Sequence, residues 1–279
     1  MKKDTIKYKT PLTYYGGKQR IAKWVLQHIP THRIYCEPFF GGGAVFFAKQ
    51  PSYLEVINDI NDNLVNFYVQ IQKNFSELAA KIQNTLHSEM MYRRAVSIYH
   101  GQIPVSDIEK AVATWIVFNQ SWNSSARAGW KFDLGIGGSH CAIVQEHARR
   151  NFCPWIKERL ANVQISSRDA LCVIQDRDTP DTFFYLDPPY PESNQGHYSG
   201  YTFDDLERLL SVLEHIQGKF ALSNYPAEIL QKYAKKNFWS IHSLTLKKDS
   251  KLAAESSSIK TEVLITNYKQ SIPYQAEIF

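Results

Sequence analysis

The stretch that most constrains this 279-residue chain is residues 34–72, where short apolar runs alternate with helical spacing. Residues 34–36 lead into Glu37-Pro38-Phe39-Phe40-Gly41-Gly42-Gly43, and residues 44–49 then read as helix. A second β-like run, 54–57, ends at Asn58-Asp59, and helical spacing resumes over 64–72. Strand, glycine turn, helix, strand, helix is a βαβα unit, which implies a parallel sheet. The same alternation returns late in the chain, with β runs at 163–166, 183–186 and 220–223 and helices expected over 203–216 and 227–235. Two further runs, 238–246 and 262–268, predict a terminal antiparallel pair. A first helix is expected over 18–29, stopped by Pro30. The expected fold class is therefore α/β, with a doubly wound, mostly parallel sheet.

From about residue 75 to 156 the pattern changes to polar amphipathic stretches, a Trp- and Asn-rich segment at 115–130, and the tract Gly135-Ile136-Gly137-Gly138. This reads as an inserted, mostly helical module. Residues 1–72 and 160–279 are expected to form one domain and 73–159 the insert, a division that suits the chain length. No apolar run approaches the ~18–20 residues that cross a bilayer. The start carries four lysines with no apolar stretch behind them, so the expected compartment is the cytoplasm. Cys36, Cys141, Cys153 and Cys172 show no CxxC spacing and are expected as buried or half-buried thiols. A formal charge of +5 permits a polyanionic partner without demanding one. The 13% aromatic content suits base stacking but also an ordinary core, which is the preferred reading.

Glycines at a βα turn let a ligand approach the backbone, where the helix offers free N–H groups; the same cluster also serves as a plain tight turn. Asp59, at the end of the next strand, sits where an acid accepts hydrogen bonds from both ribose hydroxyls. Together these point to an adenosine-containing cofactor, and the lack of a GxGxxG order speaks against a dinucleotide. Asp187-Pro188-Pro189-Tyr190 follows directly on the 183–186 run. Its prolines make a stiff loop, its carboxylate and the carbonyl before a proline accept hydrogen bonds from an exocyclic amine, and its aromatic ring stacks on a base. A proline turn capping a strand is the plainer alternative.

With these motifs in order, the chain resembles the Dam-type (D12 class) adenine-N6 DNA methyltransferases. Tyr14-Tyr15-Gly16-Gly17-Lys18 looks like the family's aromatic-x-Gly-Gly-Lys motif, which implies that Tyr14 and Lys18 contact S-adenosyl-L-methionine. Glu37, Phe39 and Gly41 fall in the segment similar to its cofactor loop, Asp59 in its ribose segment, and Asp169 in one near the cofactor adenine. Asp187, Pro188, Pro189 and Tyr190 match the catalytic tetrapeptide, with Asp187 also facing the cofactor. The resemblance implies a Rossmann-like methyltransferase sheet, a flipped-out adenine in double-stranded DNA as substrate, and no metal. It also places target recognition in the insert, where Arg93, Arg94, Asn119, Trp122, Asn123, Arg127 and Lys131 are candidate DNA contacts. Arg149, Arg150, Lys247, Lys248 and Lys251 are further phosphate candidates. Gln120 replaces a family arginine and Ser124 a glycine, which puts a GATC specificity in doubt.

The rival readings are transfer to the N4 amine of cytosine or to RNA adenine, a DNA-binding regulator without turnover, and a nicotinamide oxidoreductase. His140, Cys141, His147 and Cys153 match no standard zinc spacing. The oligomeric state, monomer or weak dimer, stays open.

Overall fold

The computed structural model describes residues 9–14, 16–124, 128–134, 140–191, 200–247 and 259–269. Tyr15, Arg127, the 135–138 glycine tract, Lys248 and Lys251 lie outside the described residues. Seven strands form one sheet: β1 (Ile34–Glu37), β2 (Leu54–Asn58), β3 (Val163–Ser166), β4 (Thr182–Leu186), β5 (Lys219–Asn224), β6 (Ser240–Lys247) and β7 (Ile259–Thr266). Their order is β3-β2-β1-β4-β5-β7-β6. β1 to β5 are mutually parallel, and β7 runs antiparallel to both β5 and β6. The antiparallel strand is thus the last in the chain but not the edge of the sheet.

The helices are α1 (Ala22–Leu26), α2 (Ala44–Ala48), α3 (Asp62–Gln83), α4 (Glu89–Tyr99), α5 (Asp107–Gln120), α6 (Cys141–Asn151), α7 (Pro154–Leu160), α8 (Ala170–Arg177), α9 (Phe203–Leu213) and α10 (Glu228–Asn237). They cover both faces, which is why the central strands read as continuous apolar runs. The alternation of β4 shows this: Phe183 and Tyr185 enter the core shared with α2, α3 and α5, while Phe184 and Leu186 enter the one shared with α8, α9 and α10. In α9, Leu206, Leu209, Leu210 and Leu213 recur at helical spacing and are all buried, behind a Thr202/Asp205 capping box.

Four sequence expectations need correction. The first helix is a 3-10 turn, Lys18–Arg20, followed by the short α1, because Ile21 (φ −111°) breaks the helical path after Lys18 turns inward. α3 does not end near residue 72; it bends at Asn74 and continues, since Phe75, Leu78 and Ile82 extend its buried stripe beyond the polar Gln72-Lys73-Asn74. α8 has no counterpart among the expected helices, although Asp169 caps it by accepting from the Leu171 and Cys172 amides. Cys172 is exposed on that helix rather than buried.

Candidate active site

The strand order reverses between β1 and β4, and such a reversal leaves a crevice outside the carboxyl ends of the strands. A cavity of about 750 Å³ lies there, within the range that encloses a small-molecule ligand. Its wall gathers Tyr14, Lys18, Glu37, Phe39, Gly41, Asp59, Asp169, Asp187, Pro188, Pro189 and Tyr190. Parallel strands bring these distant segments together because every one of them follows, or packs on, a strand's carboxyl end. Only Lys18 and Tyr14 come from outside the strand ends.

The glycine turn is held closed from three sides. Gly41 (φ +49°) and Gly43 (φ +65°) take left-handed backbone angles, and a Cβ on Gly41 would stand 2.8 Å from the Tyr14 ring. Asp59 Oδ2 accepts from the Gly41 amide at 2.8 Å, and its Oδ1 accepts from Asn61 N at 2.9 Å. Tyr68 donates its hydroxyl to the Gly41 carbonyl at 2.8 Å. Asn58 ties the strand ends together, donating to the carbonyls of Pro38 and Arg168 at 3.0 Å each and accepting from Arg168 N at 3.0 Å. Asp59 therefore shapes the turn as well as facing the cavity.

Acid groups dominate the buried charge. Lys18 Nζ pairs with Asp187 Oδ1 at 2.8 Å and lies 4.7 Å from the Tyr190 ring centroid. Tyr190 meets the edge of Tyr225 at 4.5 Å. Glu37 is buried with the Tyr35 hydroxyl donating to it at 2.7 Å. Burial is the main cause that pushes the Glu37 carboxyl up to about 8, with the Asp187 charge adding and the Tyr35 bond opposing. Burial likewise raises Asp59 against its amide bonds, and Asp187 against the pull of Lys18. The inner wall thus carries three acids and the paired Lys18, while Arg168 and Arg208 reach the cavity from its exposed side, so the inner end suits a cationic ligand group.

The candidate DNA contacts lie elsewhere and divide into two kinds. Trp122 and Phe132 are 47% and 48% exposed and meet edge to face at 6.3 Å. Trp130 stacks between Phe132 and His87, and Asn123, exposed at φ +54°, lies beside Trp122. Arg94 is exposed on α4, where Arg93 pairs with Glu89 at 2.7 Å. Lys131 is half-buried, with its amide donating to Gln120 O. Asn119, by contrast, is buried, accepting from Thr13 and donating to Trp115 O at 2.9 Å. Arg149 also turns inward, donating to the Thr85 carbonyl at 3.0 Å beyond the end of α3. Gln120 is fully buried, with its side chain bonded to Leu86, Ser88 and Trp130. At this position the amide braces the loop that presents the aromatic cluster.

The sequence did not single out Tyr99, His100 and Phe118 as cavity wall, nor Tyr201, Asp205 and Arg208. The first three come from the ends of α4 and α5, whose apolar spacing reads as core. Among the described residues, no group of three or more His, Cys, Asp or Glu side chains is placed to hold a metal ion. No helix among them is long and apolar enough to cross a membrane.

Comparison with known proteins converges on one family. The chain is 26% identical to the Type II methyltransferase M1.LlaDCHI of Lactococcus lactis subsp. cremoris over 96% of its own length and 98% of the relative's. It is 28% identical to the Retron Ec67 DNA adenine methylase of Escherichia coli, covering 74% of this chain and 72% of that one. It is 26% identical to the Type II methyltransferase M.MjaIII of Methanocaldococcus jannaschii over 76% and 83%. Residues 14–250, which carry the Gly-Gly-Lys segment, the glycine turn and the Asp187–Tyr190 loop, match the family as a whole, and the chain belongs to the D12 class of N6 adenine-specific DNA methyltransferases.

Proposed function

We propose that the β1/β4 crevice is where this D12-class enzyme brings S-adenosyl-L-methionine and an adenine of double-stranded DNA together. The observation that carries the reading is the Lys18–Asp187 pair, 2.8 Å apart at the mouth of β4 with Tyr190 against it. The residues present fit the cofactor. The glycine turn cannot accept a Cβ at Gly41 or Gly43 without meeting Tyr14 or Phe40, and Gly41, Gly42 and Gly43 line the cavity. Each Asp59 oxygen accepts from a backbone amide and, with more than one lone pair, can still accept from a ribose hydroxyl. Glu37 suits the cationic end of the amino-acid moiety, and Phe39 and Asp169 suit the adenine end.

When bound, the cofactor supplies an electrophilic methyl group on a cationic sulfur. Asp187 and the Pro188 carbonyl accept the two hydrogens of the target amine and so direct its nitrogen lone pair toward that methyl. On transfer of that methyl the amine would give up one proton, and Asp187 would be the adjoining base. Its proton affinity, raised by burial against the opposing pull of Lys18, suits that step. Tyr190 stacks on the extruded base and offsets part of the few kcal/mol that flipping costs. The rest of the rate comes from positioning and from charges fixed in advance.

Residues 73–159 are the proposed DNA-reading part, set on α3 and reaching the cavity through Tyr99, His100 and Phe118. The exposed Trp122, Asn123 and Phe132, with Lys131, Arg93, Arg94 and Arg127, suit base and phosphate contacts, whereas Asn119 suits bracing of the segment around Thr13. Methyl transfer from labelled S-adenosyl-L-methionine to unmethylated DNA, with base analysis, tests the whole reading. Label in N6-methyladenine is the expected result. Label in N4-methylcytosine, in RNA only, or in neither overturns it.

A further inference from the structure

Glu262 lies outside the 14–250 segment that defines the family match, on β7. The residues that follow it, Val263, Leu264 and Ile265, are all core, yet Glu262 is itself only 3% exposed. Withdrawing a carboxylate from water at such a place is costly, whereas a leucine or valine would pack there freely. The side chain must therefore have strong compensation, and the Tyr190 hydroxyl is one such partner. That hydroxyl stands 3.2 Å from Glu262 Oε2 and 3.2 Å from Asp187 Oδ1. A phenol has one proton and donates to only one of them at a time.

The groups form a line from the core outward: Glu262, the Tyr190 hydroxyl, Asp187 Oδ1, and Lys18 Nζ. None of these contacts uses Asp187 Oδ2. The phenol stands equally near both carboxylates, and Asp187 already holds an ion pair with Lys18. Tyr225, edge-on to the ring at 4.5 Å, restrains Tyr190 from a second direction. A ring held by a T-shaped contact with Tyr225 and by its hydroxyl is restrained in tilt and slide, which is what a stacking platform requires.

We propose that Glu262 is a positioning residue for methyl transfer, one that takes the Tyr190 phenol proton, fixes the ring that stacks on the target adenine, and leaves Asp187 for the amine. This role rests on the reading of Asp187 and Tyr190 given under Proposed function. Glu262 also acts on Asp187 through its charge, alongside Lys18, Glu37, Tyr185 and Tyr190, which are the other titratable groups that face it. Of these, Lys18 and the Tyr190 hydrogen bond lower the proton affinity of Asp187 and Glu262 raises it.

The test combines kinetics with a spectroscopic view of the phenol. In protein labelled at tyrosine Cζ with carbon-13, the resonance missing in Tyr190→Phe identifies Tyr190. That line is expected to move in Glu262→Leu and, less, in Glu262→Gln. For methylation of DNA, kcat is expected to fall about 10- to 100-fold in Glu262→Leu, as for a misplaced reacting group, with the KM for S-adenosyl-L-methionine within about threefold. Glu262→Gln, which keeps an acceptor oxygen, is expected to restore most of kcat while moving the acid limb of the pH profile downward, since a like charge beside Asp187 is gone. The double variant Glu262→Leu/Tyr190→Phe should lose no more than the worse single one.

An unmoved Tyr190 line, or losses that multiply in the double variant, overturns the proposal. If Glu262→Leu does not fold, the Glu262→Gln line shift and pH shift decide, and an unchanged Glu262→Gln overturns it. A wild-type protein that methylates no DNA overturns the underlying reading instead, and this role with it. The two failures are thus separated by the wild-type control.

Discussion

Two buried charge clusters sit at different points along the same strands, and they are balanced in opposite ways. In the first, Glu55 near the start of β2 pairs with Lys49 Nζ and with the guanidinium of Arg159, whose Nη2 also donates to the Phe46 carbonyl at 3.0 Å. Two cations surround one acid, and the Arg159 guanidinium lies 3.6 Å from the Phe46 ring centroid. In the second, Glu37 ends β1, Asp59 follows β2, Asp187 follows β4 and Glu262 lies on β7, and Lys18 pairs with Asp187. The first cluster ties α2, β2 and α7 together and contributes no side chain to the crevice wall. Glu37, Asp59 and Asp187 of the second line the crevice, where their acid character suits a ligand that brings positive charge. The contrast teaches that buried ionic groups mark a functional site by their imbalance, not by their burial.

The largest effect is expected at the unbalanced cluster. Asp187→Ala should reduce methyl transfer by about 10³-fold, the scale of a lost base and a lost preset charge, because the target amine loses its acceptor. Cofactor affinity should stay within about an order of magnitude, since in the proposed function the Asp187 carboxylate chiefly holds the amine. Single-turnover kinetics beside calorimetric binding measures both. Near-normal turnover would break the distinction between the two clusters.

At the balanced cluster the expectation is reversed. Arg159→Met removes one cation from Glu55 and should cost about 3 kcal/mol of stability, at the low end for a broken buried pair because Lys49 remains. Denaturant unfolding reads that loss, and the folded fraction should methylate normally. A drop in kcat without a drop in stability would mean that this cluster, too, belongs to the site.

The third expectation concerns pH. In the unfolded chain the Glu37 carboxyl ionises at its ordinary value of 4.5, and in the fold only at about 8. Between these values the unfolded state releases a proton that the folded state keeps, so stability falls as pH rises through that window and is flat on either side. Glu37→Gln should remove this part of the slope and raise the melting temperature at pH 8 more than at pH 5. A cationic ligand reverses the preference, so the affinity for S-adenosyl-L-methionine in the native protein should grow from pH 6 to 8. Melting curves and calorimetry across that range check both signs.

Much of this was legible in the sequence, for identifiable reasons. The central strands announced themselves because parallel strands buried on both faces are short, unbroken apolar runs between turns. The site segments were legible because glycines, prolines and acids at strand ends have few structural uses. What was missed is what depends on three-dimensional neighbours. Lys18 breaks its own helix by turning toward Asp187, a partner so far along the chain that no periodicity reports it. Tyr99 and Phe118 read as core because they are largely core, with one side on the cavity. Asn119 and Arg149 read as nucleic-acid contacts by type, and no periodicity reports that Asn119 bonds Trp115 O or that Arg149 bonds the Thr85 carbonyl.

The smallest expected effect probes the link between the two clusters. Tyr35 on β1 donates its hydroxyl to Glu37 Oε2 at 2.7 Å, while Lys49 Nζ of the other cluster lies 4.3 Å from its ring centroid. Tyr35→Phe keeps the ring and deletes only the donor, at a cost of about 1 kcal/mol, the usual net value of a buried hydrogen bond. The hydroxyl favours the ionised carboxylate, so without it Glu37 should ionise at still higher pH, and the falling part of the stability curve should extend further into the alkaline range. The Glu55 cluster keeps all its partners in this variant, so adding Arg159→Met should cost what it costs alone. Additive losses would show that the ring merely separates two independent clusters. A coupled loss would mean that the charge on Lys49 is felt at Glu37 through the Tyr35 side chain, and that the balanced cluster helps set the ionisation of the unbalanced one.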